Sequence, residues 1–236
     1  VSVVNEQDAM KNVVVTGARG SLGREVVDIF LNAGCRVFGV DRQDPQELIS
    51  DPERPNLLWI GADLSDPSSV ETLFEVLASQ GTVDCLIHCA GGFRFSFAHE
   101  ISDEDVSFLV NANLLSSIFV ARNAMRLMRQ QEFGRLVFIS SATTLRPGAG
   151  TSAYAATKAA INTFVESVAA EVKGHDINIH VVLPSIIDTP SNREDMPGAD
   201  FRKWVRPNQL AEVIFSLTQP TFDPVRSCLL PVTAGV

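Results

Sequence analysis

Tyrosine is nearly missing from this chain: one occurs, Tyr154, among 236 residues that include fourteen phenylalanines. Cysteine and histidine are also scarce. Cys35, Cys85, Cys89 and Cys228 lack paired zinc spacing and fall mostly in apolar runs, and His88, His99, His175 and His180 are scattered without an H-x-x-x-H pattern. No metal site is therefore expected, and the cysteines read as free, buried thiols of a reduced, cytoplasmic protein. Basic residues are outnumbered, 19 Lys and Arg against 28 Asp and Glu, for a formal net charge of -9. That balance argues against nucleic acid or a membrane surface as partner and favours small molecules. No apolar run reaches the roughly 18 residues of a membrane helix, and no basic stretch followed by an apolar one opens the chain. A Pro/Gly/Ser-rich linker is also lacking, so residues 1–236 are expected to form a single domain, with 1–10 as a polar extension.

What the chain does have is alternation. Short β-branched runs, NVVVT, CRVFGV, NLLWIGA, DCLIHCA, RLVFISS, INIHVVLP and SCLLPVT, are separated by segments with apolar residues at helical spacing, among them residues 103–131 and 154–173. Seven strands joined by helical crossovers predict an α/β protein: a doubly wound, mostly parallel seven-stranded sheet with helices on both faces. Asp66 before Pro67 and Asn208 stand where helix N-caps belong, and Gly34 and Gly174 where helices end. The two longest non-periodic stretches, 142–153 and 185–207, are expected at the carboxyl ends of strands, where such sheets bind ligands.

TGARGSLG, residues 16–23, lies between the first strand and the first helix. In that context Gly17 permits a tight turn, Gly20 lets the backbone approach a pyrophosphate, and Gly23 lets helix and strand pack closely, with Arg19, Ser21 and Leu22 filling the loop. About twenty residues further on, Asp41 ends the second strand and is placed to bond the adenosine ribose hydroxyls. Asp41 would repel a 2′-phosphate, which favours NAD(H); Arg19 and Arg42 could pair with one, which leaves NADP(H) open. Asp63, followed by Leu64, is placed either to contact adenine or to cap the next helix. Ala90, Gly91 and Gly92 form a floor without bulky side chains for a flat cofactor.

Tyr154 and Lys158 are four residues apart, so they share one face of a helix whose turn rises about 5 Å. An ammonium near a phenol favours phenolate and lowers its pKa toward working pH, as a tyrosine general acid/base requires. Ser141, upstream, would hold the reacting oxygen.

Taken in order, TGARGSLG, HCAGG, Asn113 in NANLLSS, Ser141, YAATK and LPSIIDTP resemble the short-chain dehydrogenase/reductases over nearly the whole chain. The resemblance implies a Rossmann-type NAD(P)(H)-dependent oxidoreductase acting on a small carbonyl or alcohol. It places a catalytic tetrad on Asn113, Ser141, Tyr154 and Lys158. Tyr154 would exchange the proton, Lys158 would bind the nicotinamide ribose, and Asn113 would keep a water behind the lysine. Pro184, Ile187 and Thr189 would cradle the nicotinamide carboxamide, and residues 190–207 would form a substrate lid. A homodimer or homotetramer built on the helices at 103–131 and 154–173 is also implied. The chain departs from the family pattern at Ser21, at His88-Cys89 and at Ser185. LPSIIDTPSNREDMPGADFRKW, with the GARGSLG loop and the AGGF turn, resembles the dihydropteridine reductase branch, but that branch lacks the serine that is present here as Ser141, so pterin reduction ranks second. Glu132 and His175 stand near places where carrier-protein reductases present arginines, which makes 3-oxoacyl thioesters less favoured substrates. A non-catalytic dinucleotide sensor would be expected to have lost Tyr154 or Lys158, and both are kept.

Overall fold

Runs such as VVV, LVF and IHVVL become strands because their stiff branched and aromatic side chains pack well on both faces of a pleated sheet. The computed structural model describes residues 11–234, so the polar extension expected over 1–10 lies outside the described residues. The strands are β1 (Asn12–Thr16), β2 (Arg36–Val40), β3 (Ile49–Ser50), β4 (Leu57–Ile60), β5 (Cys85–His88), β6 (Phe133–Ile139), β7 (Asp176–Pro184) and β8 (Ser227–Val232). They form one sheet in the order β3-β4-β2-β1-β5-β6-β7-β8. All pairings are parallel except that of β3 with β4.

The seven expected strands are all present, and the sheet has an eighth. β3 is two exposed residues paired antiparallel at the edge, too short to leave an apolar pattern in the sequence.

Side chains alternate across the sheet. Val14, Phe38, Leu86 and Phe138 pack beneath α2 (Pro67–Ser79), α4 (Ser116–Gln130) and α5 (Ser152–Glu171), on one face. Val13, Val15, Val37 and Ile87 pack beneath α1 (Ser21–Asn32) and α7 (Pro207–Leu217), on the other. Between β5 and α4, α3 (Asp103–Leu109) runs into a turn of π-helix at Val110–Leu115. The short α6 (Pro190–Asp195) follows β7.

Helix ends follow local chemistry. Asp66 caps α2 by accepting from the Ser68 amide at 3.1 Å, and Gly34 and Gly174 take φ of 80° and 97° just past their helices. At α7 the cap is Arg206, not Asn208, because Pro207 takes the first helical position, where its missing N–H costs nothing.

The chain leaves β1 toward one edge for β2 to β4 and toward the other for β5 to β8. A crevice therefore opens at the carboxyl ends of β1 and β5. The glycine loop lies there under tight steric control. A Cβ on Gly23 would come within 2.1 Å of the Gly17 carbonyl oxygen, so α1 can begin beside β1 only without a side chain at that position. We expect Gly23→Ala to lower unfolding free energy by about 1–3 kcal/mol, the usual cost of overpacking. Gly148→Ala, with nothing within 4 Å of its added carbon, should stay within about 0.5 kcal/mol of the parent. Urea denaturation of both variants measures the difference.

Candidate active site

Gly17 has φ of 63°, and a Cβ there would lie 2.8 Å from the Ala90 amide nitrogen. The glycine loop and the floor after β5 are thus in backbone contact. Thr16 ties them together. Its Oγ1 lies 2.8 Å from His88 Nδ1 and accepts from the Ala90 amide at 3.3 Å, while its carbonyl accepts from the Cys89 amide at 3.2 Å. His88 Nε2 in turn lies 3.4 Å from Ser116 Oγ, in the helix beyond the π-turn. His88 is fully buried, and burial followed by the charge of Lys158 pulls its pKa down to about 3.

The π-turn sets Asn113 into the interior, where its amide clamps the floor. Asn113 Oδ1 accepts from the Gly92 amide at 2.9 Å, and its Nδ2 donates to the Gly92 carbonyl at 3.0 Å and to Thr157 Oγ1 at 3.2 Å. The side chain braces the loop after β5 against α5. Gly91 is pinned between the same groups, since a Cβ there would sit 2.8 Å from Asn113 Oδ1 and 3.1 Å from Lys158 Nζ. At Gly92 the added carbon would strike the Phe108 ring.

Tyr154 and Lys158 lie on one face of α5, with Lys158 Nζ 5.9 Å from the centre of the Tyr154 ring. The ammonium donates to the Ile139 carbonyl at 2.9 Å, and burial lowers its pKa to about 8. Sequence reasoning predicts a lowered phenol pKa at Tyr154, and the structure reverses that expectation. Burial, with the Phe93 ring edge-on at 4.9 Å, raises the phenol above its ordinary value, and a hydrogen bond with Ser141 only partly opposes this. Desolvation is the larger of the two effects on the phenol. Ser141 Oγ accepts from the Thr143 amide at 3.2 Å and from Thr143 Oγ1 at 2.9 Å, which holds it at the start of the loop after β6.

At the other end of the crevice α1 begins at Ser21 with Gly20 as its cap and no side chain bonded to its first amides. Leu22 is buried against the sheet. Asp41 Oδ2 lies 3.4 Å from the Arg19 amide, and the Arg19 guanidinium is turned onto Asp44, a residue that sequence reasoning missed. Arg42 is exposed. The capping alternative for Asp63 is excluded, since Asp66 caps α2. Asp63 instead accepts from the Ser65 amide at 2.9 Å and the Ser65 hydroxyl at 2.6 Å, which holds its carboxyl below the ordinary value, and Leu64 is buried.

Beyond β7, Pro184 ends the strand and the chain is pinned at both ends of the expected lid. Asp188 donates its amide to the Val205 carbonyl at 2.8 Å, and the Val205 amide donates to the Ile186 carbonyl at 2.9 Å. Thr189 caps α6 through Oγ1, and the Ile187 carbonyl accepts from Asn192 Nδ2 at 2.8 Å. Phe201 and Trp204 anchor this segment: Trp204 is buried and Phe201 packs against both it and Arg193. The exposed apolar side chains at this edge are Phe93, Phe95, Phe97, Leu145 and Ile186.

The four glycines at 17, 20, 23 and 91 leave a cradle that β-carbons would fill or crowd, and it opens beside an uncapped helix start and a buried lysine. The residues present fit a dinucleotide cofactor, whose phosphates the uncapped start of α1 would hold. Fold and site together define a nucleotide-binding dehydrogenase. The sequence model described as short chain dehydrogenase matches residues 11–199, and the chain belongs to that family. It is therefore an oxidoreductase acting on CH–OH or C=O groups, in a family that uses NAD(P). The chain is 30% identical over 185 residues to the 3-oxoacyl-[acyl-carrier-protein] reductase FabG of Escherichia coli (strain K12), covering 78% of this chain and 76% of that protein. An uncharacterized oxidoreductase of Staphylococcus aureus (strain USA300) is 24% identical over 89% of this chain and 92% of its own length. Among solved structures, serine dehydrogenase from Escherichia coli superposes with a TM-score of 0.81 at 22% identity, over 94% of this chain and 97% of that one. ElxO with NADP bound gives 0.84 at 22% identity, over 95% and 97%.

The buried His88 generates a pH prediction. Its folded pKa of about 3 lies below the ordinary 6.5, so between those values the unfolded chain binds the extra proton. Stability contributed by neutral His88 is complete above pH 6.5 and is lost as pH falls toward 3. Urea midpoints measured from pH 7 down to pH 4 should decline less steeply in His88→Asn than in the parent, whatever the offset at neutral pH.

Proposed function

We propose that the chain interconverts a small carbonyl and its alcohol with NAD(H), using Tyr154 as the general acid/base. The observation that carries this reading is the convergence of Ser141, Tyr154 and Lys158 on the crevice bordered by Gly91. A bound nicotinamide cofactor supplies or takes up the hydride. Tyr154, whose burial keeps the phenol protonated at neutral pH, is suited to donate a proton to a carbonyl oxygen. Ser141, held by two bonds from Thr143 and within hydrogen-bond reach of Tyr154, would share the same oxygen with the phenol. Lys158 would hold the cofactor ribose, and with its pKa near 8 it can exchange a proton close to neutrality. Asn113 acts as a positioning residue, holding Gly92 and Thr157 so that floor and α5 keep their spacing. Pro184, Ile187 and Thr189 would meet the carboxamide, and residues 190–207 would cover the substrate.

NAD(H) is the favoured cofactor, supported by Asp41 beside the glycine loop and by Arg19 being paired already. Phe93, Phe95 and Phe97, with Leu145 and Ile186, would give the substrate an apolar rim. A second reading, reduction of a 3-oxoacyl thioester, draws on the likeness to the Escherichia coli reductase. Against it stand Glu132 and His175 where cations for an acidic carrier would be useful.

We also propose a homo-oligomer. Leu115, Phe119, Met125 and Phe164 stay half-buried on α4, α5 and the π-turn, whereas Val165 and Val168 are buried inside the chain. Sedimentation equilibrium at micromolar concentration should give a dimer or tetramer; a monomer would overturn that assignment.

For the chemistry, Tyr154→Phe should lower kcat by about 10²–10⁴-fold, the usual contribution of a general acid. NADH binding, followed by fluorescence titration, should stay close to the parent's. Full turnover in the variant would remove Tyr154 from the mechanism.

A further inference from the structure

Arg19 lies in a socket built by Asp44 and Trp59, neither of them on the glycine loop. Asp44 grips the guanidinium from the side, accepting from Arg19 Nε at 2.9 Å through one oxygen and from Nη2 through the other oxygen, which also faces Nε at 3.1 Å. Trp59 lies beneath it, with the Arg19 Cζ 3.9 Å from the ring centre. Both supports are held by close approaches that only glycine allows. A Cβ on Gly39 would lie 2.6 Å from the Trp59 ring, so the indole can lie across β2. A Cβ on Gly61 would lie 1.8 Å from the Asp44 carbonyl oxygen, so the chain at Asp44 can fold over the end of β4. The Gly61 amide completes that fold by donating to the Pro45 carbonyl at 2.5 Å. Trp59 is fixed from its far side by Nε1 donating to Asp51 at 3.0 Å.

The Asp44 side chain is only 6% exposed, whereas that of Arg19 is 37% exposed. This asymmetry decides which way the pair prefers to stay. Were Arg19 to swing out toward a phosphate, it would leave a buried carboxylate without its cation, the costly way to break an ion pair. In return it would gain a contact at a solvent-facing loop, where screening weakens ion pairs. Asp41, whose carboxylate lies 3.4 Å from the Arg19 amide, adds negative charge where the adenosine ribose would lie.

We propose that Asp44 is a specificity-determining residue: by holding Arg19 on Trp59 it withholds the loop's cation from a 2′-phosphate and selects NADH over NADPH. The inference rests on the NAD(H) reading above and names the residue that enforces it. Asp44 needs no contact with the cofactor to act in this way. Its effect runs through the position of Arg19, and removing the carboxylate frees a guanidinium that the loop already carries.

The test is a fluorescence titration of NADH and NADPH against the parent, Asp44→Asn, Arg19→Ala and the double variant, with thermal melts to check folding. In Asp44→Asn the ratio of NADPH to NADH affinity should rise roughly ten- to a hundredfold, the range of one charge-assisted hydrogen bond regained. That rise should vanish in the double variant. A gain that persists without Arg19 would mean that loss of negative charge alone is responsible, and would overturn the proposal. Where the parent prefers NADH, an unchanged ratio in folded Asp44→Asn overturns the restraint alone. A parent that binds NADPH more tightly overturns the NAD(H) reading together with the selection assigned to Asp44. Asp44→Ser, which removes the charge with a smaller side chain, replaces Asp44→Asn if the latter fails to fold.

Discussion

The structure depends on the contact between the carboxyl ends of β1 and β5. There Gly17 approaches the Ala90 backbone too closely for any side chain, and Thr16 bonds to His88 and to the amide of Ala90. This joint makes the glycine loop and the floor after β5 one surface. His88 extends it to Ser116, beyond the π-turn, and that turn delivers Asn113 to the Gly92 backbone. The glycine loop, the floor after β5 and, through Asn113 and Thr157, the start of α5 are therefore set by one chain of short contacts through the interior. A histidine at this place is a departure from the family pattern, yet it serves as a two-ended link because both ring nitrogens have a hydroxyl partner.

Burial is the common cause of the electrostatics around that joint. His88, Cys89, Tyr154 and Lys158 all shift toward their neutral forms, with Cys89 pushed up to about 12 and Lys158 down to about 8. A dry pocket disfavours charge on each group alike. The site thus stores a proton on the phenol and holds the amine near its titration point, a state suited to protonating a carbonyl oxygen. The opposite end of the crevice is arranged in the contrary sense. There Asp44 pairs with the Arg19 guanidinium, and Asp44, Asp41 and Asp51 all raise its pKa. Neutral groups thus gather at one end of the crevice and charged, paired groups at the other.

Much of this was legible in the amino-acid order. Alternating strand and helix runs specify the doubly wound sheet, because apolar period and segment length are local properties. The glycines at 17, 20 and 23 carry the loop, and the four-residue step from Tyr154 to Lys158 puts both on one helical face. The order of Asn113, Ser141, Tyr154 and Lys158 along the chain resembles the short-chain dehydrogenase pattern.

What tertiary structure alone decided concerns partners distant in sequence. Two exposed residues at β3 carry no signal until they pair with β4, and Pro207 displaced Asn208 from the cap of α7. That Phe201 and Trp204 anchor their own segment shows only in their packing. Whether the phenol pKa rises or falls depends on how much water reaches Tyr154. Whether Arg19 is free depends on a carboxylate twenty-five residues away that Gly61 allows to fold over β4. Periodicity and spacing report what a residue can do within its own segment. Desolvation and long-range pairing depend on what the folded chain brings against it, so they exist only once the sheet has formed.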